Sequence, residues 1–226
     1  MNYNDYNINN ITYEKALKID KRTYCQYYLS LIKNNHILLF TFRTNKDHNP
    51  REIKICFFFF ILSLYMFFNT LFFNDFIMHQ IYMDKGKFNF IIVLPQMIYS
   101  VIICNIIIII IKQLSLSQSN ILKMKTDYIN IINVKIFLVI KCIKMKLFFF
   151  FLLDFIFLLF FWYFLSCFCF IYSNTQIYLF TVILISYSIS LLFPFIFSLI
   201  PALFRISALK SPGQCFYKTS KLFHLV

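Results

Sequence analysis

The sequence predicts an all-α integral membrane protein: four transmembrane helices, with a basic cytosolic N-terminal region and a basic middle loop. Three observations predict it. The 226 residues are 60% hydrophobic and 21% aromatic but only 14% charged, whereas an ordinary soluble domain carries about a quarter charged residues. The apolar residues gather into four stretches close to the ~20 residues that a helix needs to cross a bilayer core. The 22 Lys and Arg residues are spread very unevenly over the gaps between those stretches.

Residues 1–11 are polar and Asn-rich (MNYNDYNINN opens the chain). They lack the apolar core of a cleavable signal peptide and read as a disordered tail. Residues 12–54 form a basic juxtamembrane region, expected as a cytosolic helix followed by a short extended piece over 37–42. Neither is long enough to build a core alone. The first span is 55–73, bounded by Lys54 and by Asn74-Asp75. The second is 91–111, closed by Lys112 and containing Pro95. Residues 128–140 are apolar but short and split by Lys135, so they read as an amphipathic helix on the inner leaflet leading into the third span. That span is 147–171. The fourth is 177–204, ending at Arg205 and containing Pro194 and Pro201. Pro194 is expected to kink it, because proline removes a donor and clashes one turn back. Residues 205–226 form a second cytosolic tail.

Orientation follows from the cations. Residues 1–54 carry nine, 74–90 two, 112–146 seven, 172–176 none and 205–226 four. Twenty of the 22 therefore fall on one side, and both termini are expected in the cytosol. The net charge of +13 belongs to that face. An anionic inner leaflet attracts each juxtamembrane cation by ~1 kcal/mol, so the basic character implies a lipid partner and no nucleic acid. The sequon at Asn10-Ile11-Thr12 then lies on the wrong side of the membrane for glycosylation.

Several chemistries are excluded or weak. Two glycines, Gly86 and Gly213, cannot build a nucleotide-binding loop, which needs several for close backbone approach to phosphates. Seven cysteines are an odd number with no metal-ligand spacing, so no cofactor, metal site or disulfide framework is expected. His79 and Asp84 match the H-x4-D spacing of glycerolipid acyltransferases, but no glycine-containing substrate motif accompanies them. A structural turn with Gly86 supplying backbone freedom is the simpler reading. The Ser-rich LSLSQSN (114–120) reads as a polar linker, and phosphorylation there would weaken the attraction to an anionic leaflet.

Six stretches taken together resemble a known kind of membrane unit. They are KIDKRTYCQYYLSLIK (18–33), NDFIMHQIYMDKGKFNFI (74–91), LPQMIYS (94–100), IKQLSLSQSNIL (111–122), WYFLSCFCFIYSNTQIYL (162–179) and LFPFIFSLIPALFRISALK (192–210). The chain resembles a family of multi-spanning domains found in the C-terminal portions of protozoan membrane proteins. The resemblance implies a membrane unit often attached to larger N-terminal regions. It brings no assigned activity, and so no catalytic residues.

One acid, Asp154, interrupts the third span. At 1.5 Å per residue it lies ~11 Å from the inner end, where a charge costs ~2.5–3.5 kcal/mol on insertion scales. It is therefore expected uncharged and facing other helices. Depth matches it with Asn105 (~9 Å) on the second span, Ser63 (~12 Å) on the first and Ser198 (~9 Å) on the fourth. A polar layer of Ser63, Asn105, Asp154 and Ser198 is expected, with Asp154 bonded to Asn105. No catalytic constellation accompanies it. The expected function is a non-enzymatic membrane anchor or interaction unit, partnered by a second copy or another membrane protein. The alternative is a small oligomeric transporter or channel, using Pro95, Pro194 and Pro201 to break helices and free carbonyls for an ion.

Overall fold

The computed structural model describes residues 8–9, 11–43, 49–115, 133–210 and 213–225. Among them are helices and turns only, with four helical segments long and apolar enough to cross a membrane. The chain divides into two compact units, one of residues 49–190 and one that combines 1–48 with 191–226.

The 49–190 unit is organised around α4 (Arg51–Leu71). Around it lie α6 (Phe90–Ser115) and α7 (Asn133–Ile171), with α8 (Gln176–Phe197) as far as Ser190. The short α5 (Asp75–Met83) follows α4. In α4, 61% of the apolar stretch is buried, against 33% in α6 and 17% in each of the last two spans, so α4 is the central helix. Its pairings set the directions. Phe60 meets Phe157 and Phe161 at ring distances of 6.3 and 6.1 Å, and Phe67 meets Phe161 and Phe164 at 4.6 and 5.1 Å. Residue numbers rise together, so α4 and α7 run parallel. Against α6 they run in opposition: Cys104 Sγ lies 3.8 Å from the Leu64 carbonyl, and Gln96 reaches Asn69. Against α8, Tyr65 meets Tyr187 at 5.6 Å and Phe73 meets Tyr178 at 6.1 Å, again antiparallel. Each such aromatic pair adds about 0.5–1.5 kcal/mol beyond its buried area.

The loop after the first span is more ordered than a turn. Asn74 caps α5, its Oδ1 accepting from Ile77 N at 3.0 Å. Lys85 and Gly86 then adopt φ of 51° and 78°, and Gly86 N donates to Ile81 O at 2.8 Å. This left-handed exit satisfies an orphaned carbonyl of the helix end. Ile77 and Ile81 pack with Val93, Met97, Phe168 and Leu179 in one cluster.

Residues 133–140, expected as a helix leading into the third span, are continuous with it, because α7 runs unbroken through them. No Gly or Pro lies between 133 and 171, so nothing interrupts propagation. Residues 128–132 and the Ser-rich stretch from 116 to 120 lie outside the described residues.

The second unit is made by both ends of the chain. It contains α1 (Tyr13–Ile19), α2 (Tyr24–Asn35), α3 (Ile37–Phe42), the end of α8, α9 (Leu199–Lys210) and α10 (Gln214–Leu225). A capping box starts α2: Thr23 Oγ1 accepts from Gln26 N at 3.4 Å, and Thr23 N donates to Gln26 Oε1 at 3.0 Å. The expected extended piece over 37–42 is instead helical. Its apolar run has no period of its own that separates strand from helix, and burial of Phe40 and Thr41 decides the matter. The core joins Tyr27 and Leu31 of α2 to Ala202 of α9, and Ala16 of α1 to Ala208 and Tyr217. Ile8 and Asn9, assigned to the tail by sequence, are packed here. Asn9 is buried, and its Nδ2 donates to Ser30 Oγ at 3.1 Å.

The fourth apolar stretch is interrupted at Ser198. Pro194 lies within α8, but the break falls one turn ahead of Pro201. Pro201 has no N–H for the Phe197 carbonyl, and its ring crowds that group. Tyr28 Oη donates to the nearby Phe195 carbonyl at 3.0 Å, and the His36 ring sets edge-on against Phe195 at 5.1 Å.

Candidate functional site

The most strongly built polar site lies in the unit of the two termini and centres on Arg205. Its side chain is fully buried, and that of Asp20 is 1% exposed. Helix α9 carries the arginine on the same face as Ala202 and Ala208, the small residues that let α2 and α10 approach. Arg205 Nε and Nη2 donate to Asp20 Oδ2 at 3.2 and 2.8 Å. Nη1 donates to the Asn9 carbonyl at 3.1 Å and Nη2 to the Ile8 carbonyl at 2.8 Å. Arg22 grips the same carboxylate from the other side, through Nε to Oδ1 at 2.8 Å and Nη2 to Oδ2 at 2.9 Å. Tyrosine faces complete the cage. The Arg205 guanidinium lies 5.0 Å from the Tyr27 ring and 4.6 Å from that of Tyr217, while Arg22 lies 5.0 Å from Tyr27.

The electrostatics follow from this crowding. Burial works against ionisation of Asp20, but hydrogen bonds and charge from Arg22 and then Arg205 outweigh it and hold the carboxyl below its usual range. Burial pushes the Tyr27 and Tyr217 phenols up, so both stay neutral and offer ring faces to the cations. Burial likewise pushes the His36 imidazole down. A buried ion pair is costly unless its remaining donors and acceptors are satisfied. Those of Arg205 are met by Asp20 and by the Ile8 and Asn9 carbonyls. The result is a lock, with the Arg205 guanidinium committed to these partners.

A second polar group ties the spans of the 49–190 unit. Asn69 is fully buried. Its Nδ2 donates to the Tyr65 carbonyl at 2.8 Å and to Ser186 Oγ of α8 at 3.2 Å. Gln96 Nε2 of α6 donates to the Asn69 carbonyl at 2.6 Å. Three of the four spans are therefore bonded at one level.

The expected polar layer is arranged differently. Ser63 and Asp154 are buried, at 5% and 8% exposure. Asn105 Oδ1 instead accepts from Tyr65 Oη, at 3.5 Å. Asp154 Oδ1 is buried without a hydrogen-bond partner among the described residues, so the bond expected between Asp154 and Asn105 does not form. The reason is level along α4. Phe60 against Phe157 places Asp154 opposite the Cys56 end of α4, whereas Cys104 against Leu64 places Asn105 nearly two turns further along. Ser198 is buried at the helix break in the other unit. His79 is exposed on α5.

Neither the clasp nor the Asn69 tie was among the sequence candidates. Asn69 and Gln96 carried a usable signal, being the only carboxamides within the first span and the first turns of the second. Nothing local links Asp20 to Arg205. What fold and site define is an all-helical protein with four helices suited to a membrane and an ion lock between its termini. No protein-family model, curated protein or solved structure matches the chain.

Proposed function

We propose that the protein is a multi-pass integral membrane protein that serves as a non-enzymatic anchor or interaction unit, with both termini in the cytosol. The observation that carries this reading is the apolar surface of the last two spans. Phe148, Phe155, Phe170 and Ile177 are 64, 61, 88 and 84% exposed, within stretches of which only 17% is buried. Contiguous apolar surface on this scale is untenable in water and ordinary in lipid. The alternating directions of α4, α6, α7 and α8 suit four successive crossings, and an even number of crossings leaves both ends on one side. The positive-inside count selects the cytosol as that side. Its partners on this reading are the bilayer with its anionic inner leaflet and a second copy or another membrane protein, without nucleic acid. The test is flotation of the full chain with vesicles after alkaline wash, together with protease treatment of sealed cells carrying a tag at either terminus. Loss of the protein from the floated fraction, or digestion of a tag from outside, overturns the proposal.

A small oligomeric transporter is the second reading. The unpartnered Asp154 Oδ1 in the third span favours it, because an uncompensated intramembrane acid is a common mark of an ion pathway. Flux through reconstituted protein that Asp154→Ala abolishes, with assembly unchanged, would decide for it.

A further inference from the structure

Helix α7 is longer than a membrane requires. Its 39 residues extend about 58 Å at 1.5 Å per residue, while the hydrocarbon core is about 30 Å thick. The apolar stretch from Leu147 onward already fills that core, so the preceding two turns fall at the headgroup level. A particular stripe runs through those turns and beyond them on both sides. Phe137, Lys141, Lys144, Phe148 and Phe155 follow one another at spacings of four, three, four and seven residues, which keeps them on one face of a helix. All five are exposed. No acid occurs between Asn133 and Asp154, and Asp154 is buried, away from this face.

The structure assigns this face of α7 as a binding site for one anionic phospholipid, an inference that rests on the membrane reading above. Lys141 and Lys144 stand three residues apart and so neighbour each other on the helix surface, presenting six ammonium N–H donors to a phosphate. Phe148 and Phe155 continue the stripe for about 16 Å beyond Lys144, the length of an acyl chain. A solvated charge run would not have exposed rings on both sides of its lysines. A free phosphate would make no use of the Phe148–Phe155 stripe. Only a molecule with an anionic head and an apolar tail matches the order cation, then aromatic, along one face.

The experiment uses the full chain in vesicles of neutral phospholipid with a minor fraction of phosphatidylserine. The protein is extracted in mild detergent, and the lipids it retains are quantified by mass spectrometry. Each juxtamembrane lysine favours anionic lipid by about fivefold. The pair therefore predicts retained phosphatidylserine enriched about twenty-five-fold over the bulk mixture at one site per chain. K141Q/K144Q should abolish that enrichment, while K85Q/K87Q, in the loop after α5, should leave it intact. No enrichment in the unaltered chain overturns the proposal. So does enrichment that survives K141Q/K144Q, or that K85Q/K87Q removes equally. All four lysines are exposed, so the variants are expected to fold, and recovery in the floated fraction checks this. A chain that fails to float at all would overturn the membrane reading itself, a different result from floating without selectivity.

Discussion

The substitution Asp20→Asn tests whether the ion lock holds the two ends of the chain together. It keeps the shape of the side chain and removes one charge, leaving Arg205 and Arg22 as two cations around a neutral amide. Arg22 retains some access to water, its side chain being 11% exposed, and can turn outward. Arg205 is fully buried and cannot. Removing one partner of a buried pair costs about 3–5 kcal/mol, and the lower end applies here because the Asn oxygen still accepts a hydrogen bond. Opening of the clasp should then be favoured by about two orders of magnitude, at ~1.4 kcal/mol per decade. Lys15, Lys18 and Lys21 are exposed residues beside the lock, but a protease needs the segment unfolded before it can cut. Where closing outpaces cutting, the tryptic rate reports the open population. Cleavage at these sites in detergent-solubilised protein should therefore accelerate about a hundredfold in D20N. Adding Arg205→Met removes the uncompensated cation, so the double variant should be cut no faster than D20N despite its second lost side chain. An acceleration below threefold in D20N, or additive effects in the double variant, would refute the argument.

The tie at Asn69 predicts a smaller effect: Asn69→Leu should lower resistance to denaturing detergent by about 0.6–1.7 kcal/mol, the range for hydrogen bonds between membrane helices, read by circular dichroism during titration. Asp154→Leu should instead raise that resistance, because the carboxyl oxygen it removes is buried without a partner and such groups cost about 1–3 kcal/mol; a loss of stability would point to a role for the acid. Acidification should weaken the terminal unit in two stages followed by thermal unfolding. His36 is held below its usual pKa, so its contribution is complete above about 6.5 and is lost as the pH falls from there; His36→Gln should remove this stage. Asp20 is held below its usual value as well, so its contribution is complete above about 3.9 and disappears only as the pH falls further, a stage that D20N should abolish.

The spans were legible because length and hydropathy are read along one dimension. The expected limits 55–73 and 91–111 sit inside or within two residues of α4 and α6, since nothing but a long apolar run is needed to place them. Polar pairing requires the register between helices, which a count from each span's own end does not supply. Depth arithmetic put Asn105 and Asp154 at one height, and the pairings of α4 with α6 and α7 set them nearly two turns apart along α4. The same arithmetic, counted from the inner ends, passed over Asn69 and Gln96 near the outer end of their helices. Pro194 and Pro201 are equally visible in the sequence, and the interruption falls at Ser198, where Pro201 has no N–H for the Phe197 carbonyl.

Arg205 shows why a charge count and a structure give different kinds of information. As one of twenty cations on the expected cytosolic side it counts toward orientation, and the asymmetry does not depend on whether it is solvated or buried. The Arg22–Asp20–Arg205 group still carries a net positive charge, so its burial leaves the bias in place. Its position imposes an order of assembly. Helices α1, α2 and α3 span 7, 12 and 6 residues, lengths at which isolated helices are marginal in water. Their core is completed only by Ala202, Ala208 and Tyr217, and their ion lock only by Arg205. Helices α1 to α3 therefore acquire their stability late, once residues 199–225 exist to receive them.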